Sequence, residues 1–250
     1  MRALLVAIVI FIIASPIAVE VHPFVVVWDI GQGQWVTVVT NNVCLHFDMG
    51  GEHRLPPVRN LCFNKRNRVY LSHSDMDHIK FLPWGATHLP HLCDAAPPQD
   101  PMNARKKRLI ASVHLCRSPL NTNEVKIVEI TPPINNKTFK GHNDFSRVFV
   151  VYGPDRAILI PGDSTATAER VWSKRLEQLP FVQILVAGHH GSRTSTSETL
   201  LRRLPNLKVS IASARKARYG HPNPEVVARL RAHGVPCLRT EIFGNIGLAL

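Results

Sequence analysis

The sequence predicts a layered α/β domain, because short apolar runs typical of strands recur along the chain and helical patterns appear late and singly between them. A chain of 250 residues is long enough for one such domain. The runs with strand character lie at 24–28, 36–40, 43–47, 69–71, 125–130, 148–152, 157–160, 182–186, 209–212 and 237–239. The segments with helical spacing lie at 166–179, 197–204 and 225–233.

Turn residues mark where these elements begin and end. The first strand ends at Asp29–Gly33, and Asn41-Asn42 separates the next two strands as a hairpin turn. The last helix begins behind Pro222-Asn223-Pro224 and stops at Gly234. Residues 89–119 are rich in Pro, Lys and Arg and show little periodicity, which predicts an insertion within a single domain spanning 22–250.

The first 21 residues predict an export signal or a single membrane anchor. Arg2 precedes an uninterrupted apolar run at 3–14, and small residues follow around Ala18. This order is typical of a secretory signal, whereas most spanning helices need about 20 apolar residues. A buried first helix is the alternative to export, and for export itself a cleaved signal and an uncleaved anchor both stay open. Either one places the domain in the periplasm or at the extracellular face of the inner membrane.

The composition excludes several classes of protein and favours a polyanionic partner. With 45% hydrophobic and 19% charged residues, the chain is not intrinsically disordered overall. The 30 Lys and Arg outnumber the 18 Asp and Glu, so the formal net charge is +12. Such a field attracts nucleic acid or an anionic membrane surface.

The five cysteines are odd in number and lack the spacing of a thiolate zinc site. In an oxidising compartment, Cys93 and Cys116 could bracket the predicted insertion with a disulfide. Alternatively, the cysteines are buried free thiols that behave as small apolar residues.

The strongest chemical signal is the segment His-Ser-Asp-Met-Asp-His at 73–78, which directly follows a predicted strand. The segment holds two imidazoles and two carboxylates within six residues. Carboxylates clustered this tightly repel each other, and burial would raise their pKa values, unless one or two divalent cations were bound. Asp163, the pair His189-His190, and His221 also stand just past strand or loop ends. Such positions are usual for functional residues in α/β sheets. The alternative is a solvated acidic turn with incidental histidines.

Six motifs follow one another along the chain: Asp-Ile-Gly-Gln-Gly (29–33), Ser-His-Ser-Asp-Met-Asp-His (72–78), Ile-Pro-Gly-Asp-Ser (160–164), Gly-His-His-Gly-Ser (188–192), Tyr-Gly-His-Pro (219–222) and Arg-Thr (239–240). Their order resembles the metallo-β-lactamase superfamily, and within it the hydrolase domain of the ComEC/Rec2 family of competence channel proteins. The resemblance covers about 25–248, with 89–119 the least matched part. It implies a four-layer αββα sandwich with a two-metal site at one edge.

The resemblance also implies the ligands of two divalent ions. They are His73, Asp75 and His189 for the first ion, Asp77, His78 and His221 for the second, and Asp163 as a bridge between both. Asp75 stands where many superfamily members have a histidine, which makes the first site harder and admits Mn²⁺ as well as Zn²⁺. His190 is expected behind the ligands or as a donor in the transition state. Asp29 would orient a ligand imidazole, and Asn143 and Ser146 match a segment near the site.

Two cations with a bridging hydroxide suit the hydrolysis of phosphodiester bonds. The main hypothesis is therefore an exported, metal-dependent DNase, linked to DNA uptake in competence and to a channel partner. Its predicted catalytic residues are Asp77, Asp163 and His190. Its predicted DNA contacts are Arg105, Lys106, Lys107, Arg108, Arg215, Lys216 and Arg218, although these could also form an ordinary solvated surface. A small-molecule phosphodiesterase of the same fold and a DNA-binding module without turnover are the alternatives.

Overall fold

A computed structural model describes residues 11–12, 23–52, 54–131, 139, 141–178 and 181–250. Its centre consists of β-strands, most of them short and buried. The strands are β1 (Phe11–Ile12), β2 (Phe24–Val27), β3 (Val36–Val39), β4 (Val43–Phe47), β5 (Arg66–Tyr70), β6 (Cys93–Ala96), β7 (Lys126–Glu129), β8 (Phe149–Tyr152), β9 (Ala157–Ile160), β10 (Val182–Val186), β11 (Val209–Ala212), β12 (Cys237–Arg239) and β13 (Ile246–Ala249).

The strands form two mixed sheets. The first sheet has seven strands in the order β1-β13-β2-β3-β4-β5-β6, and the second has six in the order β12-β11-β10-β9-β8-β7. In the first sheet β4, β5 and β6 run parallel, and in the second β9 to β12 run parallel. The loops that follow these strands therefore leave each sheet at its carboxyl edge, where polar side chains of α/β proteins usually gather.

Short helices cover the outer face of each sheet. They are α1 (Val58–Cys62), α2 (Met76–Ile79), α3 (Leu82–His88), α4 (Ala104–Ile110), α5 (Ala166–Trp172), α6 (Glu198–Arg202), α7 (Lys216–Tyr219), α8 (Pro224–Ala232) and α9 (Thr240–Phe243). Turns of 3₁₀ helix lie at His142–Phe145, Ser173–Gln178 and Gly188–Gly191. The Asn223 side chain caps α8 by accepting from the backbone N–H of Glu225, as the sequence predicts for this helix start.

Three separate apolar clusters show that the domain has four layers. Alternate residues of one strand point to opposite faces, so β2 sends Val25 and Val27 between the sheets and Val26 towards the helices. The cluster between the sheets joins Phe47 to Phe149, whose ring centroids lie 5.5 Å apart. The other two clusters lie between each sheet and its helices. The αββα sandwich that the sequence predicts is confirmed.

The segment predicted as an insertion is partly built into the first sheet. Within 89–119, β6 pairs in parallel with β5, and α4 contacts α2 and α3. β6 has only four residues and is stabilised by pairing with a strand that is distant in the sequence. Its own residues therefore show no strand pattern.

The predicted export signal or anchor at 1–21 lies outside the described residues, except for Phe11–Ile12, which pair with β13 as β1. Among the described residues, no helix combines the length and apolarity needed to cross a membrane.

Two disulfides join cysteines of the first half of the chain. Cys93 bonds to Cys116, which is one of the two arrangements that the sequence left open, and Cys44 bonds to Cys62. Cys237 on β12 is a free thiol, and burial raises its pKa to about 11. This thiol is therefore un-ionised at neutral pH and poorly reactive.

A chain of buried hydrogen bonds crosses the first sheet through His46 on β4. Trp28 donates to the Thr37 hydroxyl at 2.8 Å, and this hydroxyl lies 3.0 Å from His46 Nδ1. His46 Nε2 lies 3.0 Å from Asn67 Oδ1. The pattern fits a neutral imidazole that accepts at Nδ1 and donates at Nε2. Burial lowers the pKa of His46 to about 4, although the hydrogen bond with Asn67 opposes this shift.

We predict that acid destabilises the fold through His46. The unfolded chain takes up a proton on this residue near pH 6.5, whereas the folded protein does so only near the lowered value of about 4. Between these pH values the unfolded state binds more protons. The free energy of unfolding should therefore fall as pH falls, by up to about 3 kcal/mol.

Urea unfolding at about pH 7 and about pH 4.5 measures this difference. His46→Gln should flatten the pH dependence, whereas His114→Gln, at an exposed position, should keep that of the parent protein. Equal pH dependence in the parent and in His46→Gln would contradict the assignment.

Candidate metal centre

The predicted site residues converge at one edge of the sandwich, where loops leave both sheets. β5 leads into His73, β9 leads into Asp163, and β10 leads into the turn that carries His189 and His190. Asp75 is the N-cap residue of α2, which contains the next two site residues. Both sheets therefore contribute to a single centre.

Gly162 allows these loops to touch. It adopts φ +56°, and a Cβ at this position would lie only 2.6 Å from the Cβ of Ser72 in the first sheet's loop. Since glycine has no Cβ and tolerates positive φ, the two loops approach closely enough to place Asp163 beside His73. The Nε2 atom of His73 lies 3.9 Å from Asp163 Oδ2.

The carboxylate of Asp163 lies at the middle of the centre. Its Oδ1 atom is 3.1 Å from His78 Nε2 and 3.5 Å from His190 Nε2. Its Oδ2 atom is 3.5 Å from His189 Nε2 and also faces His73. The two oxygens thus face different pairs of imidazoles, which is the arrangement expected of a bridging carboxylate.

The two remaining carboxylates flank this arrangement on opposite sides. Asp75 Oδ2 lies 3.5 Å from His73 Nε2, and Asp77 Oδ2 lies 3.3 Å from His190 Nε2. Two overlapping groups have ligand atoms within 4.8 Å of one another and could each hold a cation. They are His73, His78 and Asp163, and Asp77, His78 and His190.

The donor set fits divalent metal ions. His73 Nε2 is buried, has no hydrogen-bond partner among the described residues, and faces the carboxylates of Asp75 and Asp163. Leaving such an atom unpaired costs about 1–3 kcal/mol, which coordination to a cation would remove. Imidazole nitrogens and carboxylate oxygens are common ligands of Zn²⁺, and carboxylates also suit Mn²⁺.

Asp48, just past β4, orients the imidazoles of the centre. Its carboxylate accepts hydrogen bonds from His78 Nδ1 at 2.7 Å, from Gln34 Nε2 at 2.8 Å, and from both the backbone N–H and the hydroxyl of Ser72 at 2.7 Å. The Ser72 hydroxyl also lies 3.0 Å from His73 Nδ1. Protons on the Nδ1 atoms leave both Nε2 lone pairs directed at the centre, as metal binding requires.

The orienting role that the sequence assigned to Asp29 therefore falls to Asp48. Among the described residues, the Asp29 carboxylate pairs with Arg54 at 3.7 Å, and its backbone N–H donates to Asn245. The sequence did contain a signal for Asp48, because this residue follows a strand in the same way as Asp163 follows β9.

The charges of the centre keep one another ionised. Burial alone would raise the pKa of Asp163, but the charges of His190 and His78 hold it well below its ordinary value. Burial alone would lower the pKa of His78, but the charges of Asp163 and Asp48 raise it well above its ordinary value. Burial likewise opposes ionisation of Asp77, but the hydrogen bond from His190 and nearby imidazole charges lower its pKa to about 2. A divalent ion would replace these imidazolium charges and release protons on binding.

Three residues around the centre hold left-handed backbone conformations without being glycine. Asp48 has φ 59°, His189 has φ 50°, and His190 has φ 57°. Such conformations cost of the order of 1–3 kcal/mol each and tend to cluster at functional sites. Here they turn the chain sharply after β4 and β10, so that consecutive side chains reach the same centre.

The histidine positions differ in part from those predicted. His190 rather than His221 lies with Asp77 and His78, and its side chain is 2% exposed against 28% for His189. His221 instead lies beside His189, and the centroids of these two rings are 6.1 Å apart. A Gly-His-His-Gly turn can direct either of its two imidazoles inwards. The sequence alone therefore does not determine whether His189 or His190 is the more buried one.

The two remaining residues predicted near the site, Asn143 and Ser146, do lie close to it. Asn143 Nδ2 approaches the ring nitrogens of His189 at 3.4 Å. Ser146 is buried, and its Cβ would lie 3.3 Å from a Cβ at Gly162. Ser146 therefore packs against the loop that carries Asp163, and Asn143 contacts the exposed side of the centre.

The predicted DNA contacts are not all free surface cations. Arg105, Lys107 and Arg108 on α4 are exposed, and so is Lys216. The three others are paired with carboxylates. They are Lys106 with Asp75 at 2.7 Å, Arg215 with Glu52 at 2.6 Å, and Arg218 with Glu52 at 3.4 Å. A sequence shows the charge of a side chain but not the carboxylate that faces it, and this explains the difference.

Solved structures of known proteins share this fold. The chain superimposes with TM-score 0.61 on CmlA, a diiron β-hydroxylase from Streptomyces venezuelae, at 14% identity over 90% of the chain and 54% of that protein. It superimposes with TM-score 0.55 on the metallo-β-lactamase fold protein YhfI from Bacillus subtilis, at 11% identity over 87% of the chain and 95% of that protein. The protein thus has the metallo-β-lactamase fold, with a His/Asp cluster suited to metal at the edge of its sheets.

Sequence comparison relates the chain to competence proteins of the ComEC/Rec2 family. It is 30% identical to the competence protein ComA of Neisseria gonorrhoeae over 96% of the chain, and 26% identical to recombination protein 2 of Haemophilus influenzae over 87%. The chain spans about a third of the length of these relatives, 34% and 28% respectively. No protein-family model matches the chain.

We predict that Asp48→Asn weakens metal binding about 10–100-fold, the usual effect of removing a group that orients a ligand. Asparagine keeps the shape of the side chain but replaces an acceptor oxygen by an NH₂ donor, which opposes the donors of His78 and Ser72. Calorimetric titration of Zn²⁺ or Mn²⁺ measures the affinity, and thermal unfolding checks that the variant is folded.

Asp29→Asn is the matched control for this substitution. Since Asp29 pairs with Arg54 instead of a site imidazole, its variant should bind metal like the parent protein. Normal affinity in Asp48→Asn, or an equal loss in Asp29→Asn, would contradict the assigned role.

Proposed function

We propose that this chain is a metal-dependent hydrolase that cleaves the phosphodiester bonds of DNA during DNA uptake. The main support is the buried cluster around Asp163, in which each carboxylate oxygen faces two imidazoles. The names of the ComA and recombination protein 2 relatives connect the family to competence and recombination. A formal net charge of +12 suits a polyanionic substrate.

The residues of the centre suit such a reaction. Divalent ions, when bound, would supply Lewis-acid stabilisation of phosphoryl oxygens and a nucleophilic water at neutral pH. Asp163 would hold two ions with its separate oxygens. Asp48 keeps the His78 imidazole fixed through Nδ1, so that little reorganisation is needed during the reaction.

The exposed cations of α4 adjoin this centre. Lys106 in the same helix reaches Asp75, so Arg105, Lys107 and Arg108 lie within one or two residues of a contact with the site. Cations at this spacing could bind the phosphates of a strand whose scissile bond lies at the centre. We therefore propose α4 as the nearest DNA-contacting element.

A small-molecule phosphodiester is the second candidate substrate. The observation that favours it is the pairing of Arg215 and Arg218 with Glu52, whose single carboxylate offsets one of their two positive charges. A short substrate would need fewer free cations than a nucleic acid strand. Cleavage of bis-p-nitrophenyl phosphate without measurable affinity for DNA would favour this candidate.

We also propose that the protein acts in an exported compartment. The disulfides Cys44–Cys62 and Cys93–Cys116 support this location, because disulfides persist mainly in oxidising environments such as the periplasm. A channel protein of the uptake machinery is the partner that this location and the competence relatives suggest.

Asp163→Asn should abolish DNA cleavage while leaving DNA affinity close to that of the parent protein. Since several kcal/mol of transition-state stabilisation depend on the metal centre, we expect a loss of rate of about a hundredfold or more. Cleavage of plasmid and single-stranded DNA with Mn²⁺ or Zn²⁺ measures turnover, and fluorescence anisotropy measures binding.

Asp155→Asn, at an exposed aspartate, serves as the control and should cleave normally. No cleavage by the parent protein with either metal would overturn the proposed nuclease. Cleavage that survives in Asp163→Asn would assign the activity to another site.

Salt dependence should separate the two groups of predicted DNA contacts. Replacing Arg105, Lys107 and Arg108 together by Gln should flatten the slope of log affinity against log salt for duplex DNA by about 2–3, because each phosphate contact adds about 0.9. Replacing Arg215 and Arg218 by Gln should change the slope by no more than about 1, since the Glu52 carboxylate leaves the two arginines with a combined net charge of only +1. An unchanged slope in the α4 variant would exclude this helix from the DNA contact.

A further inference from the structure

Lys106 differs from the other cations of α4 in its surroundings. Arg105, Lys107 and Arg108 are exposed, whereas the Lys106 side chain is only 15% exposed. Its ammonium lies 2.7 Å from Asp75 Oδ1. The helix thus presents three cations to solvent and directs one at a predicted metal ligand.

The two oxygens of Asp75 have different partners. Oδ1 accepts the hydrogen bond from Lys106, while Oδ2 lies 3.5 Å from the unpaired Nε2 of His73. The Asp75 side chain is 37% exposed, so packing alone does not fix its rotation. With Oδ1 held by an ammonium, only Oδ2 remains free to face the centre.

The segment that carries Lys106 is fastened to the site on several sides. Asp100 accepts hydrogen bonds from the backbone N–H and the hydroxyl of Ser74, at 2.9 and 2.5 Å. The Cys93–Cys116 disulfide closes the segment, and β6 at its start pairs with β5. The Asn103 side chain caps α4 by accepting from the N–H of Lys106. Each of these contacts limits how far the Lys106 backbone can move from Asp75.

We propose that Lys106 is a positioning residue that fixes Asp75 as a metal ligand through Oδ2. The proposal deepens the proposed function and rests on its metal centre. The ammonium offers a point charge with three donors, which can hold one carboxylate oxygen while the other binds a cation. It also reduces the repulsion among Asp75, Asp77 and Asp163, which lie together at this edge.

Lys106→Met tests this proposal, because methionine keeps much of the apolar stem and removes the charge. We expect one of the bound Mn²⁺ ions to bind about tenfold more weakly, as found when groups that orient metal ligands are removed. Calorimetric titration gives affinity and stoichiometry, and the visible absorption of bound Co²⁺ reports the ligands of each ion. Lys106→Arg, which retains a cation at this position, should restore most of the affinity and the parent Co²⁺ spectrum.

Lys107→Met is the matched control, since it removes the same charge from the next, exposed residue of the same helix. It should bind Mn²⁺ and Co²⁺ like the parent protein. Metal binding by Lys106→Met that is as tight as in the parent, or tighter, would overturn the proposal. So would an equal loss in Lys107→Met, because the effect would then reflect only the net charge of the helix. If Lys106→Met does not fold, Lys106→Gln, which keeps a hydrogen-bond donor without the charge, is titrated instead and should show the same loss.

These measurements separate the proposal from the proposed DNA cleavage. A protein that binds two ions in a Lys106-dependent manner but cleaves no DNA would keep the positioning role and lose the substrate. A protein that cleaves DNA, with metal affinity unchanged in Lys106→Met, would keep the nuclease and lose the positioning role.

Discussion

The candidate centre depends on one buried carboxylate, that of Asp48. It accepts hydrogen bonds from Gln34 and from Ser72 and His78, so it connects the loop before β3 to the segment 72–78. A buried carboxylate is tolerated when its oxygens are saturated with donors in this way. The hydrogen bond from His78 keeps a proton on Nδ1, so that Nε2 is the nitrogen that could bind a cation. Asp48 thus connects the segments and orients the imidazole of a predicted ligand.

The candidate centre also requires the two sheets to meet at one edge of the sandwich. Each sheet places its parallel strands so that their carboxyl edges face the same side of the sandwich. Gly162 then brings the loop after β9 against the loop after β5, and Asp163 follows within one residue. The site therefore lies at the junction of the two halves, and neither sheet could form it alone.

Much of this arrangement could be predicted from the sequence. The runs at 36–40, 43–47 and 209–212 became strands because their residues are apolar enough to be buried on both faces. The segment at 73–78 combines metal-ligand residue types densely, and together with Asp163 and the later histidines it predicts a metal site. Local composition and spacing therefore predict both the buried strands and the candidate metal-binding segment.

The rest depended on contacts between residues far apart in the chain. β6 and β13 were missed, because their pairing with β5 and β2 supports runs that are short or contain glycine. The position of Lys106 against Asp75 depends on how α4 folds back onto α2. No local pattern distinguishes that lysine from its exposed neighbours in the same basic run.

Both covalent crosslinks lie in the half of the sandwich built on the first sheet. Cys44–Cys62 and Cys93–Cys116 close loops of 18 and 23 residues, and each such closure is worth about 3 kcal/mol through the entropy of the unfolded chain. The second sheet carries only the free thiol of Cys237. Local unfolding of the domain would therefore begin in the half built on the second sheet. It would move Asp163 and His190 away from His78, which belongs to the disulfide-bonded half. A cation bound by residues of both halves would hold the two halves together. Resistance to proteolysis would then increase with metal occupancy.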